Sequence, residues 1–335
     1  MRLRALITGG AGFIGSHLAE KLLEQGYHVT VIDDLSTGSF DNISHLVGHP
    51  RFRFAIDSIT NEIVLDRLVS ESNVIFHLAA AVGVKLIVEN PTHTIKTNVI
   101  GTEIVLRTAL RYRVKVLIAS TSEVYGKSNR IPFREDDDVV LGPTIRSRWA
   151  YAASKMLDEF LALAYHREQG LEIVVFRLFN TVGPRQTGRY GMVIPRFVTQ
   201  ALKGEPLTVY GDGSQSRCFL HVSDAVDAII KLSEAPNAVG QVFNVGSTEE
   251  IAILALAKKI LRLSREVTGK ILREDDIIFI PYEQAYAAGF EDMQRRVPDI
   301  SKIQNLVGWR PKYTLEQTLT EIIRHIREKG VDAVA

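Results

Sequence analysis

The sequence has little cysteine, no excess of charge of one sign and no long uninterrupted apolar run. Its one cysteine, Cys218, cannot form an intrachain disulfide, and no Cys/His cluster has the spacing of a zinc site. The chain of 335 residues carries 40 Lys and Arg against 39 Asp and Glu, which disfavours a general nucleic-acid-binding surface. We therefore expect a protein of a reducing compartment that has no structural metal and binds no nucleic acid.

No segment has the length and apolarity of a membrane span or a secretory leader. The longest apolar region, residues 74–88, is interrupted by His77 and Lys85 and falls short of the ~18 apolar residues that a span needs. Residues 1–4 lead into a short apolar run and then a glycine turn, which is too short for a signal-peptide core. These features predict a cytoplasmic protein without a membrane partner.

Short β-branched runs alternate with amphipathic stretches over the first 180 residues. The pattern predicts strands at Leu3–Thr8, Tyr27–Asp33, Phe52–Ile56, Asn73–Leu78, Lys115–Ser120 and Ile173–Phe179. It predicts helices at Phe13–Gln25, Glu62–Ser70, Thr92–Tyr112 and Tyr151–Gln169. Such alternation favours an α/β fold with a doubly wound parallel sheet. Because the alternation loses its regularity near residue 180, we predict two domains, 1–180 and a smaller 181–335, that share a cleft.

A glycine-rich turn, TGGAGFIG, lies between the first predicted strand and the first predicted helix. Such a turn brings backbone N–H groups and a helix N-terminus against a phosphate, and Gly9, Gly12 and Gly15 each have a steric reason there. Asp33 ends the second strand 18 residues after Gly15, where a carboxylate can hold the adenosine ribose hydroxyls. Asp33 and Asp34 would repel a 2′-phosphate and no Arg or Lys follows closely, so the pattern favours NAD over NADP.

Tyr151 and Lys155 are four residues apart on a predicted helix and therefore lie on one face. A phenol with a pKa near ~10 is a poor base at neutral pH, but a nearby ammonium group favours the phenolate. Tyr151 could then take the proton of a hydroxyl while hydride leaves the same carbon. Thr121 follows the fifth strand at the carboxyl edge of the sheet and could hydrogen-bond that hydroxyl.

These residues make the sequence resemble the extended short-chain dehydrogenase/reductases, in particular their nucleotide-sugar epimerases, dehydratases and decarboxylases. The resemblance covers essentially the whole chain and includes the segments His77–Ala81, Ser120–Gly126, Tyr151–Lys155, Asn180–Arg185 and Gly211–Arg217. It implies a Rossmann-type NAD-binding domain over residues 1–180 and a nucleotide-sugar-binding domain over residues 181–335. It also implies a homodimer that pairs through two long helices.

The resemblance assigns further residues to cofactor and substrate. Besides the glycines and Asp33, contacts to NAD would come from Phe13, Ile14, Asp57, Ala79 and Lys155. Contacts to a UDP-sugar, including its diphosphate, would come from Ser122, Asn180, Arg185, Arg217 and Arg296.

The resemblance also limits the reaction. Family members oxidise C4 of the sugar with tightly held NAD, usually regenerate the cofactor in place, and differ in what happens to the 4-keto sugar. Dehydratases have an Asp-Glu pair directly after the catalytic Thr, whereas here Ser122 and Glu123 follow Thr121. The missing Asp disfavours 4,6-dehydration.

The substrate implied is UDP-glucuronate or another UDP-hexose, and two reactions on it remain open. Glu123 and the segment RRVPDI, which contains Arg296, resemble UDP-glucuronate decarboxylases, in which a Glu and an Arg serve the carboxylate. The segment around Tyr151 is closer to epimerases, and Arg185 could restrain the carboxylate while the 4-keto sugar turns over. We expect 4-epimerisation, with decarboxylation as the alternative. A non-catalytic NAD-binding sensor and a dehydrogenase that releases NADH fit the same motifs less well.

Overall fold

A computed structural model describes residues 3–83, 90–188, 192–268, 274–285 and 293–331. The strands are β1 Arg4–Thr8, β2 His28–Asp33, β3 Phe52–Ile56, β4 Val74–His77, β5 Lys115–Thr121, β6 Ile173–Leu178, β7 Thr181–Val182, β8 Leu207–Tyr210, β9 Ser216–Cys218, β10 Leu220–His221, β11 Gln241–Val245, β12 Glu250–Ala252 and β13 Ile277–Ile280. The helices are α1 Phe13–Glu24, α2 Glu62–Ser70, α3 Pro91–Ile95, α4 Gly101–Tyr112, α5 Ala150–Gln169, α6 Val193–Lys203, α7 Val222–Glu234, α8 Ile253–Thr268, α9 Tyr282–Ala285, α10 Ser301–Val307 and α11 Leu315–Lys329.

The strands and helices predicted for the first 180 residues are confirmed, and their observed ends lie within one residue of the predicted ones. One element differs in form. The helix predicted over Thr92–Tyr112 consists of α3 and α4 joined by the π-helical turn Lys96–Ile100. The agreement reflects the regular spacing of buried apolar residues in this part of the chain.

Seven parallel strands form the central sheet in the order β11-β6-β5-β4-β1-β2-β3. Alternate side chains of each strand point to opposite faces, so Val174 and Phe176 join one hydrophobic core while Ile173 and Val175 join another. Helices α1 and α7 contribute to the first core, and α2, α4 and α5 to the second. This arrangement confirms the predicted α/β doubly wound sheet.

A further core lies among α6, α8 and α11, with β8 and β13 paired beside it. The domain boundary predicted at residue 180 stays a prediction. Beyond that residue the chain builds this further core, but it also returns to the first sheet. Strand β11 pairs with β6 as the outermost strand, and α7 packs on α1. No helix in the described part of the chain is both long and apolar enough to cross a membrane.

Because β11 is the outermost strand of the first sheet, truncating its buried side chain is expected to destabilise the half of the molecule built on that sheet. Phe243 is fully buried, and Phe243→Ala is expected to lower the free energy of unfolding by about 3–5 kcal/mol. The matched control is Phe279→Ala on β13, where the same ring is half exposed and little change is expected. Urea denaturation measures both, and equal losses would contradict the assignment of β11 to a core.

Candidate active site

A cavity of about 1350 Å³ lies along the carboxyl edge of the sheet and reaches residues of the C-terminal half. The carboxyl ends of parallel strands meet at one edge, which is where doubly wound sheets bind ligands. Each site residue named from the sequence lines this cavity: Gly9, Gly12, Phe13, Ile14, Gly15, Asp33, Asp57, Ala79, Thr121, Ser122, Glu123, Tyr151, Lys155, Asn180, Arg185, Arg217 and Arg296. Their individual roles stay predictions.

The glycine turn brings backbone so close together that side chains do not fit. A Cβ on Gly15 would lie 2.3 Å from the carbonyl oxygen of Gly9, and a Cβ on Gly9 would lie 2.8 Å from the backbone nitrogen of Ala79. Gly9 also has a φ of 71°, a left-handed conformation that favours glycine. Helix α1 begins after Gly12, and no side chain caps its N-terminus. Its first backbone N–H groups are therefore available to a phosphate.

The Asp33 carboxylate is held at the end of β2 by backbone N–H groups. Its Oδ2 accepts a hydrogen bond from Ala11 N at 2.9 Å and its Oδ1 from Leu35 N at 2.9 Å. Each oxygen keeps a lone pair for a ribose hydroxyl. Asp57 lines the same end and accepts hydrogen bonds from Ser58 N and Asn61 Nδ2. Among the described residues 32–42 and 57–60 that line this end, none is Arg or Lys. These carboxylate acceptors fit the ribose hydroxyls of NAD, and the residues of these two ranges offer no cationic side chain to a 2′-phosphate.

Tyr151 lies in the first turn of α5 and makes a side-chain hydrogen bond with Thr121 at the end of β5. Thr121 Oγ1 also accepts a hydrogen bond from Glu123 N at 3.2 Å, which caps the short 3₁₀ turn Ser122–Tyr125. Burial raises the pKa of Tyr151 above its usual value, and the carboxylates of Glu123 and Asp158 raise it further. Without an added positive charge, Tyr151 is therefore a neutral phenol.

Lys155 lies one helical turn after Tyr151, as predicted, and is buried. Its Nζ forms an ion pair with Asp158 Oδ2 at 2.7 Å. Asp158 was not among the residues predicted from the sequence, although its position three residues after Lys155 on a predicted helix allows this contact.

Glu123 is the centre of a cluster of buried charges beside Tyr151. Its Oε2 accepts a hydrogen bond from Arg148 Nη1 at 2.6 Å, and its Oε1 lies 3.8 Å from Arg296 Nη1. Burial alone would raise the pKa of Glu123, but the guanidinium groups of Arg148 and Arg296 hold it below its usual value. Glu123 is therefore a carboxylate at neutral pH. Arg148 was not among the residues predicted from the sequence. Its position three residues before Tyr151 is the feature of the sequence that could have identified it.

Three further predicted substrate residues line the cavity. Ser122 is buried, and its hydroxyl has no hydrogen-bond partner among the described residues, so it is available to a ligand. Asn180 Nδ2 donates to Cys218 O at 3.1 Å, and Arg217 Nη1 donates to Ser216 O at 2.7 Å.

In the described part of the chain, no group of three His, Cys, Asp or Glu side chains is arranged to hold a metal ion.

Arg185 has partners on the first helix. Its Nη2 lies 2.5 Å from Glu20 Oε1 and its Nη1 donates to Ser16 Oγ at 3.2 Å. Its backbone N–H donates to His325 Nε2 at 3.2 Å. That Arg185 restrains a sugar carboxylate stays a prediction. The charges of Arg148, Arg296 and Arg217 act on Glu123, and Lys155 lies one helical turn from Tyr151.

Comparison with known proteins agrees with this geometry. A family model described as GDP-mannose 4,6 dehydratase matches residues 6–322. The chain belongs to this family. As a member of the GDP-mannose 4,6-dehydratase family it is an extended short-chain dehydrogenase/reductase, which confirms the resemblance drawn from the sequence.

Curated relatives of this family member include two decarboxylases. The chain is 43% identical to a UDP-N-acetyl-alpha-D-glucosaminuronate decarboxylase of Bacillus cytotoxicus over 330 residues, which cover 98% of this chain and 99% of that protein. It is 40% identical to UDP-glucuronic acid decarboxylase 1 of Danio rerio, over 97% of this chain and 72% of the relative.

A solved structure also matches this family member closely. It is UDP-glucuronic acid 4-epimerase from Bacillus cereus, in complex with UDP-glucuronic acid and NAD. The two chains are 29% identical, with a TM-score of 0.85 over 98% of this chain and 100% of the other. The predicted cofactor, NAD, is thereby confirmed, and this GDP-mannose 4,6-dehydratase family member is an NAD-dependent enzyme that modifies a sugar nucleotide.

If the Asp33 carboxylate holds the adenosine ribose, Asp33→Asn will weaken NAD binding on the order of tenfold or more, because a hydrogen bond to a charged acceptor is lost. Asp34→Asn is the matched control, since Asp34 bonds its own neighbour Ser36. Isothermal titration with NAD measures both, and equal affinities of the two variants would exclude the assigned role.

Proposed function

We propose that the protein is a UDP-hexuronate decarboxylase. It oxidises C4 of the sugar, the resulting β-keto acid loses carbon dioxide, and hydride returns to C4. This proposal places decarboxylation ahead of the 4-epimerisation expected from the sequence. The observation that carries it is the buried cluster of Glu123, Arg148 and Arg296 beside Tyr151.

Tyr151 and Thr121 act on the C4 hydroxyl. When bound, NAD supplies the acceptor and later the donor of hydride at C4, together with a positively charged ring. A positive charge near the phenol favours its phenolate, so Tyr151 can take the hydroxyl proton as hydride departs. Thr121, already hydrogen-bonded to Tyr151, is placed to orient the same hydroxyl.

Decarboxylation needs little beyond the C4 ketone. The bond between C5 and C6 breaks, its electron pair moves onto the C4 oxygen, and carbon dioxide leaves. Tyr151, protonated by the first step, and Thr121 can donate hydrogen bonds to that oxygen as its charge develops. C5 of the enolate then takes a proton from water and the C4 ketone re-forms. Hydride returns to C4 while Tyr151 gives its proton back to the C4 oxygen, so the reaction has no net oxidation.

The charges of the cluster fit this step. Arg148 and Arg296 can attract the substrate carboxylate into the cavity, while the ionised Glu123 opposes a second negative charge there. The repulsion disappears when the carboxylate becomes neutral carbon dioxide, so Glu123 favours the product side of the step. An epimerase must instead retain the carboxylate, and Arg185, the residue expected to do so, is held by Glu20.

The experiment incubates the purified protein separately with UDP-glucuronate and with UDP-N-acetylglucosaminuronate, the substrate named for the Bacillus cytotoxicus relative. We expect a UDP-pentose product with loss of carbon dioxide, detected by mass and proton NMR, and no accumulation of NADH. A product of unchanged mass with inverted C4 would replace this proposal with 4-epimerisation, and stoichiometric NADH would indicate a dehydrogenase.

Neighbouring arginines provide a matched pair of variants. Arg296 is buried in the cluster, whereas Arg295 is exposed and paired with Glu250. Arg296→Gln is expected to lower kcat/KM by about 10²-fold or more, and Arg295→Gln to leave it near the wild-type value. Similar activities of the two variants would remove Arg296 from the mechanism.

We also propose that the protein is a homodimer. Ile95, Ile100, Leu157 and Phe160 are about half exposed and lie on α3, the π turn and α5, which pack against one another. An apolar patch on two packed helices is typical of a surface that pairs with a second copy.

Phe160→Asp is expected to convert the dimer to monomer, because a charge would be buried in the helix pairing. Phe279→Asp, at an equally exposed ring on β13, is the control and should leave the molar mass unchanged. Light scattering after gel filtration measures both. A wild-type protein that elutes as a monomer would refute the proposed dimer.

A further inference from the structure

The ion pair between Lys155 and Asp158 lies inside the protein. The two side chains are 3% and 0% exposed, and Nζ and Oδ2 are 2.7 Å apart. Burial disfavours an isolated charge, and pairing the two groups offsets that cost. The contact therefore fixes the Lys155 amino group one helical turn from Tyr151, with the Asp158 carboxylate beside it.

A chain of buried hydrogen bonds ends on Asp158. Thr8 Oγ1 lies 2.8 Å from His77 Nδ1, and His77 Nε2 lies 2.9 Å from Thr102 Oγ1. The Thr102 hydroxyl in turn hydrogen-bonds Asp158. At the other end, the backbone N–H of Ala79 donates to Thr8 Oγ1 at 3.2 Å. The chain joins the cofactor end of the cavity to the partner of Lys155.

The chemistry of the groups fixes the direction of this chain. An ionised carboxylate only accepts, so Thr102 donates to Asp158 and accepts from His77 Nε2–H. His77 Nδ1 then accepts a hydrogen bond from the Thr8 hydroxyl. Burial, aided by the charge of Lys155, lowers the pKa of His77 to about 3, so the ring is neutral and can both donate and accept. Burial raises the pKa of Asp158, and the Lys155 charge and the hydrogen bond from Thr102 oppose that effect by favouring the carboxylate.

We propose that Asp158 is a positioning residue that holds the Lys155 ammonium group and sets the proton affinity of Tyr151. The inference rests on the proposed function only in taking Tyr151 as the proton acceptor. Asp158 does not touch the reacting atoms. It acts through its own charge, which raises the pKa of Tyr151, and by holding the Lys155 amino group in place.

The other carboxylates near Tyr151 and Asp158 each form an ion pair with an arginine. Glu123 faces Tyr151 from the turn after β5 and is paired with Arg148 and Arg296. Glu159, next to Asp158, is paired with Arg177. The charge of Asp158 raises the pKa of Tyr151. Replacing Asp158 by Asn removes that charge and favours the phenolate, so the pKa of Tyr151 falls.

The test measures this pKa directly. Phenolate absorbance is followed against pH in the holoenzyme, and the same titration of a Tyr151→Phe background is subtracted. Asp158→Asn is expected to move the transition to lower pH by on the order of one unit. The acid limb of kcat/KM should move in the same direction. Glu168→Gln, an exposed acid on the same helix, is the control and should change neither.

A second variant removes the same charge with a smaller side chain. Asp158→Ser should move the transition in the same direction, and it tests the proposal if Asp158→Asn does not fold. An unchanged or higher transition pH in either folded variant would overturn the proposal, even if kcat falls. The titration needs no turnover, so it stands apart from any failure of the UDP-hexuronate assay.

Discussion

The buried ion pair between Glu159 and Arg177 holds the helix that carries Tyr151 and Lys155 to the sheet. Arg177 Nε and Nη2 donate to the two carboxylate oxygens at 2.9 and 2.7 Å, and Ser120 also donates to this carboxylate. The contact joins α5, β5 and β6. Because Ser120 precedes Thr121, and Glu159 lies one helical turn after Lys155, the spacing between Thr121 and Tyr151 depends on it. Removing one partner would leave a buried charge uncompensated, which costs roughly 3–5 kcal/mol in such pairs.

Local patterns in the sequence were sufficient for most of the nucleotide-binding half. Strand and helix ends followed from apolar periodicity, and the cavity followed from the rule that parallel strands end at one edge. The same patterns could not place β11, because a strand of five residues in the C-terminal half carries no signal of its partner. Arg148 and Asp158 were missed for a related reason. Their importance comes from contacts with Glu123 and Lys155, which appear only after the chain has folded.

Arg185 lies in a loop that contacts helices from both halves of the molecule. It lines the cavity as predicted, but with a φ of 70° its backbone turns within a loop that is held on two sides. His17 Nε2 contacts Pro184 O at 3.0 Å, and His325 accepts the Arg185 N–H. The loop is thus bonded to α1 and to α11, one helix from each half of the molecule. These contacts join the two halves of the molecule beside the cavity that Arg185 lines.

The position of β11 has a consequence for synthesis on the ribosome. Strands β1 to β6 emerge first, but the outer edge of β6 stays unpaired until residue 245 has been made. An unpaired edge of a parallel sheet is a template for another chain. The nascent protein must therefore pass through a stage at which β7 to β10 and α7 are already outside the ribosome while the first sheet is still incomplete. Chaperone dependence in this protein would be concentrated in that interval.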